Sequence, residues 1–151
     1  MFRSYQARAR YYGAEVHGTL GLGTIGAFAL QADALADYVH ATIGGNGAAP
    51  RIPPLRIMGG IEAQGDRLDG RVEIERTDKA RRLAPLETAT AGFTMLNASL
   101  TFRPVADSPE ASIILSANNI LDATGRRHAS YLKDFAPLAG RDIRVTVRAS
   151  F

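Results

Sequence analysis

The last stretch of the chain, Ile143-Arg144-Val145-Thr146-Val147-Arg148-Ala149-Ser150-Phe151, alternates apolar and polar side chains without a break. Successive side chains of a strand point to opposite faces. This stretch therefore lays Ile143, Val145, Val147, Ala149 and Phe151 on one face and Arg144, Thr146, Arg148 and Ser150 on the other. A helical period of about 3.6 would scatter those apolar residues around the axis. The segment is a strand with one apolar and one polar face.

The same period runs upstream. Leu68, Gly70, Val72 and Ile74 alternate with Asp69, Arg71, Glu73 and Glu75, and Leu55, Ile57, Gly59, Ile61 and Ala63 with Arg56, Met58, Gly60, Glu62 and Gln64. Tyr12, Ala14, Val16, Gly18 and Leu20 oppose Tyr11, Gly13, Glu15, His17 and Thr19. Phe28, Leu30, Ala32, Ala34, Ala36 and Tyr38 oppose Gln31, Asp33 and Asp37. With Leu96–Phe102 and Ile113–Ala117 the reading gives about seven strands and no helix.

Connections alternate in length. Gly21–Thr24, Gly65–Asp66 and Ala106–Glu110 are short, whereas Ala41–Pro54, Asp78–Gly92 and Asp122–Gly140 are long. In an up-and-down meander every second connection emerges at the same end, so the long loops share one end and the tight turns the other. Outer-membrane barrels have that asymmetry, with short periplasmic turns and long extracellular loops, and strands of about ten residues are long enough to cross a bilayer when tilted. Slipping the last strand by one residue would turn Arg144 and Arg148 toward lipid at roughly 2–4 kcal/mol each near the midplane. The expected architecture is all-β, an antiparallel up-and-down transmembrane barrel segment with its last strand ending on the periplasmic side. A soluble β-barrel binding module and a small free-standing outer-membrane barrel are the alternatives.

Composition fits a wall better than a filled interior, since Ala and Gly are plentiful and charges interrupt the apolar stretches. The net charge of +3 comes from eighteen Lys and Arg dispersed among fifteen acids, with no basic run and no stacking aromatics, which argues against a nucleic-acid partner. The absence of cysteine rules out disulfides and thiolate metal sites. No apolar h-region follows Met1, and no apolar window is long enough for a transmembrane helix.

The stretch from Asn118-Asn119 through Arg126-Arg127-His128-Ala129-Ser130-Tyr131-Leu132-Lys133-Asp134 to Pro137-Leu138-Ala139-Gly140-Arg141 resembles the last extracellular loop of TonB-dependent receptors. Ala139 stands where that family usually has proline. Tyr12-Gly13-Ala14-Glu15, Arg51-Ile52-Pro53-Pro54 and the run Glu87 to Asn97 resemble further strand and strand-entry motifs of the family. The resemblance covers nearly the whole chain. It implies that residues 1–151 form the C-terminal portion of a barrel of about 22 strands, lacking the plug domain, the motif that TonB grips and the signal peptide. It further implies a parent receptor in the outer membrane of a Gram-negative bacterium. That receptor would take up a scarce solute such as a ferric siderophore, another metal complex or a vitamin. Implied partners are outer-membrane lipid, the plug domain, the TonB complex, the assembly machinery that reads a terminal aromatic such as Phe151, and the transported solute or metal chelate.

Individual residues sharpen little beyond this. His17, His40 and His128 lie on separate elements without a metal-ligand spacing, so no metal site is assigned. Arg126, Arg127, His128 and Lys133 are candidates for an extracellular rim that captures an anionic solute. Arg71, Glu73, Glu75, Asn97, Arg103, Arg144 and Arg148 are expected to face the lumen and to hydrogen-bond the plug. Gly21-Leu22-Gly23-Thr24-Ile25-Gly26 fits a dinucleotide pattern but is followed by strand alternation, so a tight turn is expected there. No nucleophile, paired carboxylate or phosphate loop supports catalysis, and no cofactor is expected.

Overall fold

A computed structural model describes residues 6–45, 47–104 and 111–149. Their strands are β1 (Ala9–Ile25), β2 (Phe28–Ile43), β3 (Gly47–Ala48), β4 (Arg56–Gln64), β5 (Leu68–Thr77), β6 (Phe93–Phe102), β7 (Ala111–Asn118) and β8 (Asp142–Ala149). All belong to one antiparallel sheet in the order β1-β2-β4-β5-β6-β7-β8, and the two-residue β3 folds back onto the end of β2. The seven expected strands are all present. β3 is an addition that two residues could not announce by periodicity. Ala106–Glu110, Ser150 and Phe151 lie outside the described residues.

The first connection is not where the glycines suggested. β1 runs through Gly21–Thr24 to Ile25, and the chain reverses at Gly26–Ala27, with Ile25 paired to Phe28. Between Gly21 and Gly23 the register shifts, leaving an extra residue in β1. Gly23 and Gly26 have φ of 99° and 60°, so one glycine makes a bulge and the other the turn. A glycine-rich run signals positive φ but does not say which position reverses the chain. β1 and β2 are accordingly 17 and 16 residues long.

Opposed residues in a ladder share a face, so the register transmits the alternation across the sheet. Asp37 pairs with Arg56, Arg56 with Thr77, Glu73 with Asn97, Ser99 with Ser116, and Ser116 with Arg144. The opposite face carries Ala36, Ile57, Ile61, Val72, Leu100, Leu115 and Val145 in the intervening rows. Burial is the reverse of a soluble sandwich. Ile61, Val72 and Val145 are 57%, 53% and 64% exposed, while the side chains of Asp33 and Glu75 on the polar face are only 11% and 14% exposed. The buried apolar residues are few, Ala41, Ala49, Ala80 and Phe93, and no large side chain is fully buried among the described residues. The fold is a wall with no filled core.

β1 pairs only with β2 and β8 only with β7, so the described sheet does not close on itself. The short turns at 26–27 and 65–67 lie at one end. The long connections 44–55, 78–92 and 119–141 lie at the other, where hydrogen bonds join them. Pro53 and Pro54 offer no N–H, which ends the β2–β4 ladder at Asp37–Arg56 while β2 continues outward paired with β1 and, at Thr42 and Ile43, with β3.

Candidate functional site

Two features of the polar face could act on a solute: a network of charges along the strands, and a mouth where the three long loops meet. Arg71 on β5 reaches across β4 to Asp33 on β2, with Nη1 2.5 Å and Nη2 3.0 Å from its two carboxylate oxygens. Nη2 also donates to Glu73 at 2.9 Å, and Glu62 lies 3.7 Å from Nη1. The guanidinium crosses Gly60, where an added Cβ would stand 2.5 Å from Nη2, so only glycine leaves room for the bridge. Nearer the mouth, Arg56 Nε donates to Asp37 at 2.7 Å and its Nη1 lies 3.8 Å from Glu75. Near the short turns, Arg103 pairs with Asp69. Such pairs are half-buried and multiply bonded, which distinguishes them from isolated surface bridges.

The seven residues expected to face the lumen do share this face. Six of them nevertheless bond within the sheet: Arg71 and Glu73 as above, Glu75 with Arg56 and Thr77, Arg103 with Asp69, Asn97, and Arg144. Asn97 Nδ2 donates to Glu73 at 3.3 Å and its Oδ1 accepts the backbone N–H of Asn119 at 2.9 Å. Arg144 lies 3.0 Å from Asp142 on the same strand. The hydrogen-bonding expected of these side chains toward a separate domain is thus already used, in large part, inside the wall. Asp33, Asp37 and Arg56 are equal members of the network. Their sequence signal was only the strand period.

At the mouth the loops are knit around Glu87, whose side chain is 7% exposed. Its Oε1 accepts the N–H of Arg51 at 2.7 Å, and its Oε2 accepts the N–H of Ala84 at 2.9 Å. Lys133 Nζ lies 3.4 Å from Oε1 and donates to the carbonyl of Thr88 at 2.6 Å. His128 is buried, with Nδ1 3.0 Å from Thr90 Oγ1 and 3.4 Å from Lys133 Nζ. An ammonium only donates, so Nδ1 is the acceptor and the proton of the neutral ring sits on Nε2. Nε2 lies 3.2 Å from Glu87 Oε1, but off the line of a hydrogen bond, and has no other partner. Thr88 donates to Asp134 at 2.7 Å, and Arg51 stacks over the Tyr131 ring at 3.6 Å.

Burial alone would push the Glu87 carboxyl up. The two amide N–H groups and the Lys133 cation, joined by His128 once its ring takes a proton at lower pH, outweigh it and hold the carboxyl below its usual range. Burial and the Lys133 cation push His128 down, against the pull of Glu87 and Asp134, and keep it neutral at pH 7.

These facts correct the expected rim. His128 and Lys133 are buried struts of a loop clamp, and Arg126 is half-buried and donates to the Lys133 carbonyl at 2.5 Å. Of the four candidates only Arg127 is freely exposed. Basic residues in a long loop looked solvated by default. The signal missed was Glu87, the acid in the neighbouring loop that draws two of them inward. Asn119 was missed as well: it is buried with φ 48°, and its side chain binds Ala123 and Ala139, pinning the third loop. That loop folds over the polar face, where Gly125 packs against Phe93, Met95 and Leu138.

Beneath the clamp a cavity of about 250 Å³ is lined by Asp37, Arg56, Thr77, Phe93, Arg127 and His128. It presents one acid, two guanidinia and an imidazole edge, a set suited to a polar or anionic solute. Among the described residues no three His, Cys, Asp or Glu side chains gather to hold a metal ion.

No family model matches the sequence. Among solved structures, the chain superposes on the copper transporter OprC with a TM-score of 0.76 over 95% of its length, at 18% identity. The fold is that of a transmembrane β-barrel wall. The match takes in 24% of the OprC chain, so this chain spans about a quarter of the length of the structure it resembles.

Proposed function

We propose that this chain is a section of the barrel wall of a TonB-dependent outer-membrane receptor, with the long-loop end outward, and that the receptor imports a metal ion or metal complex. The observation that carries the reading is the inverted burial of a single sheet: apolar residues exposed along one face of seven strands, and charges half-buried in a network along the other. Water would penalise the first face and lipid would favour it. The likeness to a copper transporter supports a transport role and favours a metal-containing solute over a vitamin. On this reading the charged face lines the lumen and Arg127, with the cavity below it, meets the solute. The plug domain, TonB and the assembly machinery are partners of the full-length protein.

The test is uptake. Cells of a Gram-negative host expressing the full-length protein should accumulate copper or a supplied metal complex above cells lacking it, and a TonB-deficient host should lose the gain. A protein found in the soluble fraction, or one with no metal accumulation in either host, would refute the proposal.

A further inference from the structure

At the mouth the sheet is split. β2 continues to Ile43 after its last pair with β4, and its outer part faces the Ile52–Leu55 segment across a cavity of about 310 Å³. Its floor is apolar, with Ala41, Ala49, Ile52 and Leu55. β2, β4 and β5 each have a strand on both sides, so the outward side of this cleft meets the surroundings of the wall and not a further strand. Tyr38 and His40 border it from the row that carries the apolar face, and His40 is stacked on Tyr12 with ring centroids 4.5 Å apart. Aromatic side chains gather where the apolar band of a barrel meets water, which puts the cleft at the outer boundary of the hydrocarbon. Just beyond the end of β5 at Thr77, its rim carries three exposed cations, Lys79, Arg81 and Arg82. Among the described residues none of the three pairs with a carboxylate, whereas Arg56 and Arg71 on the polar face are paired and Arg76 has Asp78 at 3.9 Å. The same loop exposes Leu83 and, at a left-handed φ of 67°, Leu86.

With the long-loop end outward, the leaflet around this cleft is built of phosphorylated glycolipid, a diglucosamine head that carries phosphates above a set of acyl chains. Three cations without acids repel one another, and a phosphate set among them removes that repulsion while accepting forked hydrogen bonds from the guanidinia. The apolar floor below them suits hydrocarbon. We infer that this cleft is a binding site for lipopolysaccharide of the outer leaflet, with a glucosamine phosphate on Lys79, Arg81 and Arg82 and the first segment of an acyl chain against Ile52 and Leu55. The inference rests on the barrel reading. A soluble anion would gain nothing from the apolar floor, and a neutral lipid nothing from the cations.

The experiment takes the full-length protein, purified in detergent, freed of lipid and confirmed as heat-modifiable folded barrel, and titrates it with deep-rough lipopolysaccharide, counting bound molecules by native mass spectrometry. The wild type should bind it, and should bind the same glycolipid stripped of its glucosamine phosphates about 10- to 100-fold more weakly. The triple variant Lys79→Ser, Arg81→Ser, Arg82→Ser should show the same loss toward the intact glycolipid. Arg67→Ser, Arg144→Ser, Arg148→Ser, removing equal charge at a short turn and on the polar face, should stay within about twofold. Narrowing the cleft with Ala48→Phe should weaken binding with all three cations in place. Equal binding by the wild type and the triple variant overturns the inference alone. So does displacement by excess inorganic phosphate, which would make this a soluble-anion site, or equally tight binding of phosphatidylglycerol, which would remove the preference for the glycolipid. A protein that stays soluble without detergent overturns the barrel reading with it.

Discussion

Replacing Glu87 with glutamine keeps the size of the side chain and removes its charge. Both carboxylate oxygens now accept backbone N–H groups, from Arg51 at 2.7 Å and Ala84 at 2.9 Å. An amide has one oxygen, so one of those N–H groups would face an NH₂ donor, at a cost of about 1–3 kcal/mol for a buried unsatisfied group. The Lys133 ammonium, 3.4 Å away and 7% exposed, loses its counter-charge but keeps the Thr88 carbonyl at 2.6 Å. Removing one partner of a buried pair costs about 3–5 kcal/mol when nothing else compensates. With that carbonyl in place, about 3 kcal/mol in total is a reasonable figure. At 1.4 kcal/mol per tenfold this raises the open population of the clamp about a hundredfold. Amide hydrogen exchange on the full-length protein should then accelerate by that order in residues 84–90 and 126–138, with β5 and β6 unchanged. Acceleration below about threefold, or an equal change in the strands, would show that Glu87 does not hold the loops.

Further outcomes follow from the same geometry. Both Glu87 and His128 bind a proton more readily when the loops open, so clamp stability is full above pH 7. It falls first as pH drops below the usual imidazole range and again below the usual carboxylate range; loop exchange, corrected for intrinsic rate, should rise from pH 7 to pH 5, and His128→Asn should remove that rise. Gly60→Val should drive Arg71 off Asp33 and lower the unfolding free energy of the folded barrel, measured by urea titration, by about 1–3 kcal/mol, an effect absent in Gly59→Val, where the nearest atom to an added Cβ is 3.8 Å away. Phe151→Asp should reduce heat-modifiable folded protein in outer-membrane fractions far more than Ser150→Asp, which adds the same charge in the other phase of the alternation; equal yields would remove the assembly role from Phe151.

The period of two was enough to read the sheet because the strands from Arg56 onward alternate with few exceptions, such as Met58, Met95 and Ile114 in the polar phase, and the register simply stacks those alternations. Gly21–Gly26 defeated it because bulge and turn draw on the same residue type, and a period cannot choose between them. Placement of Arg71 and Glu73 on one polar face is a matter of parity and was legible. That Arg71 crosses a whole strand to reach Asp33 depends on the missing side chain of Gly60, which appears in sequence as one more small residue. The mouth was least legible. His128 and Lys133 are buried by Glu87, some forty residues earlier in the chain, and contact across that separation leaves no local trace.

If one face of this wall meets lipid and the other does not, spin labels along β5 will alternate in their surroundings. The sequence has no cysteine, so single cysteines at Val72, Glu73, Ile74 and Glu75 in the full-length protein, reconstituted in liposomes, report each position alone. Oxygen, which concentrates in hydrocarbon, should relax labels at 72 and 74, while labels at 73 and 75 stay shielded from it, giving a period of two. Four labels with equal oxygen and water-soluble relaxant accessibility, or the opposite phase, would contradict the barrel wall.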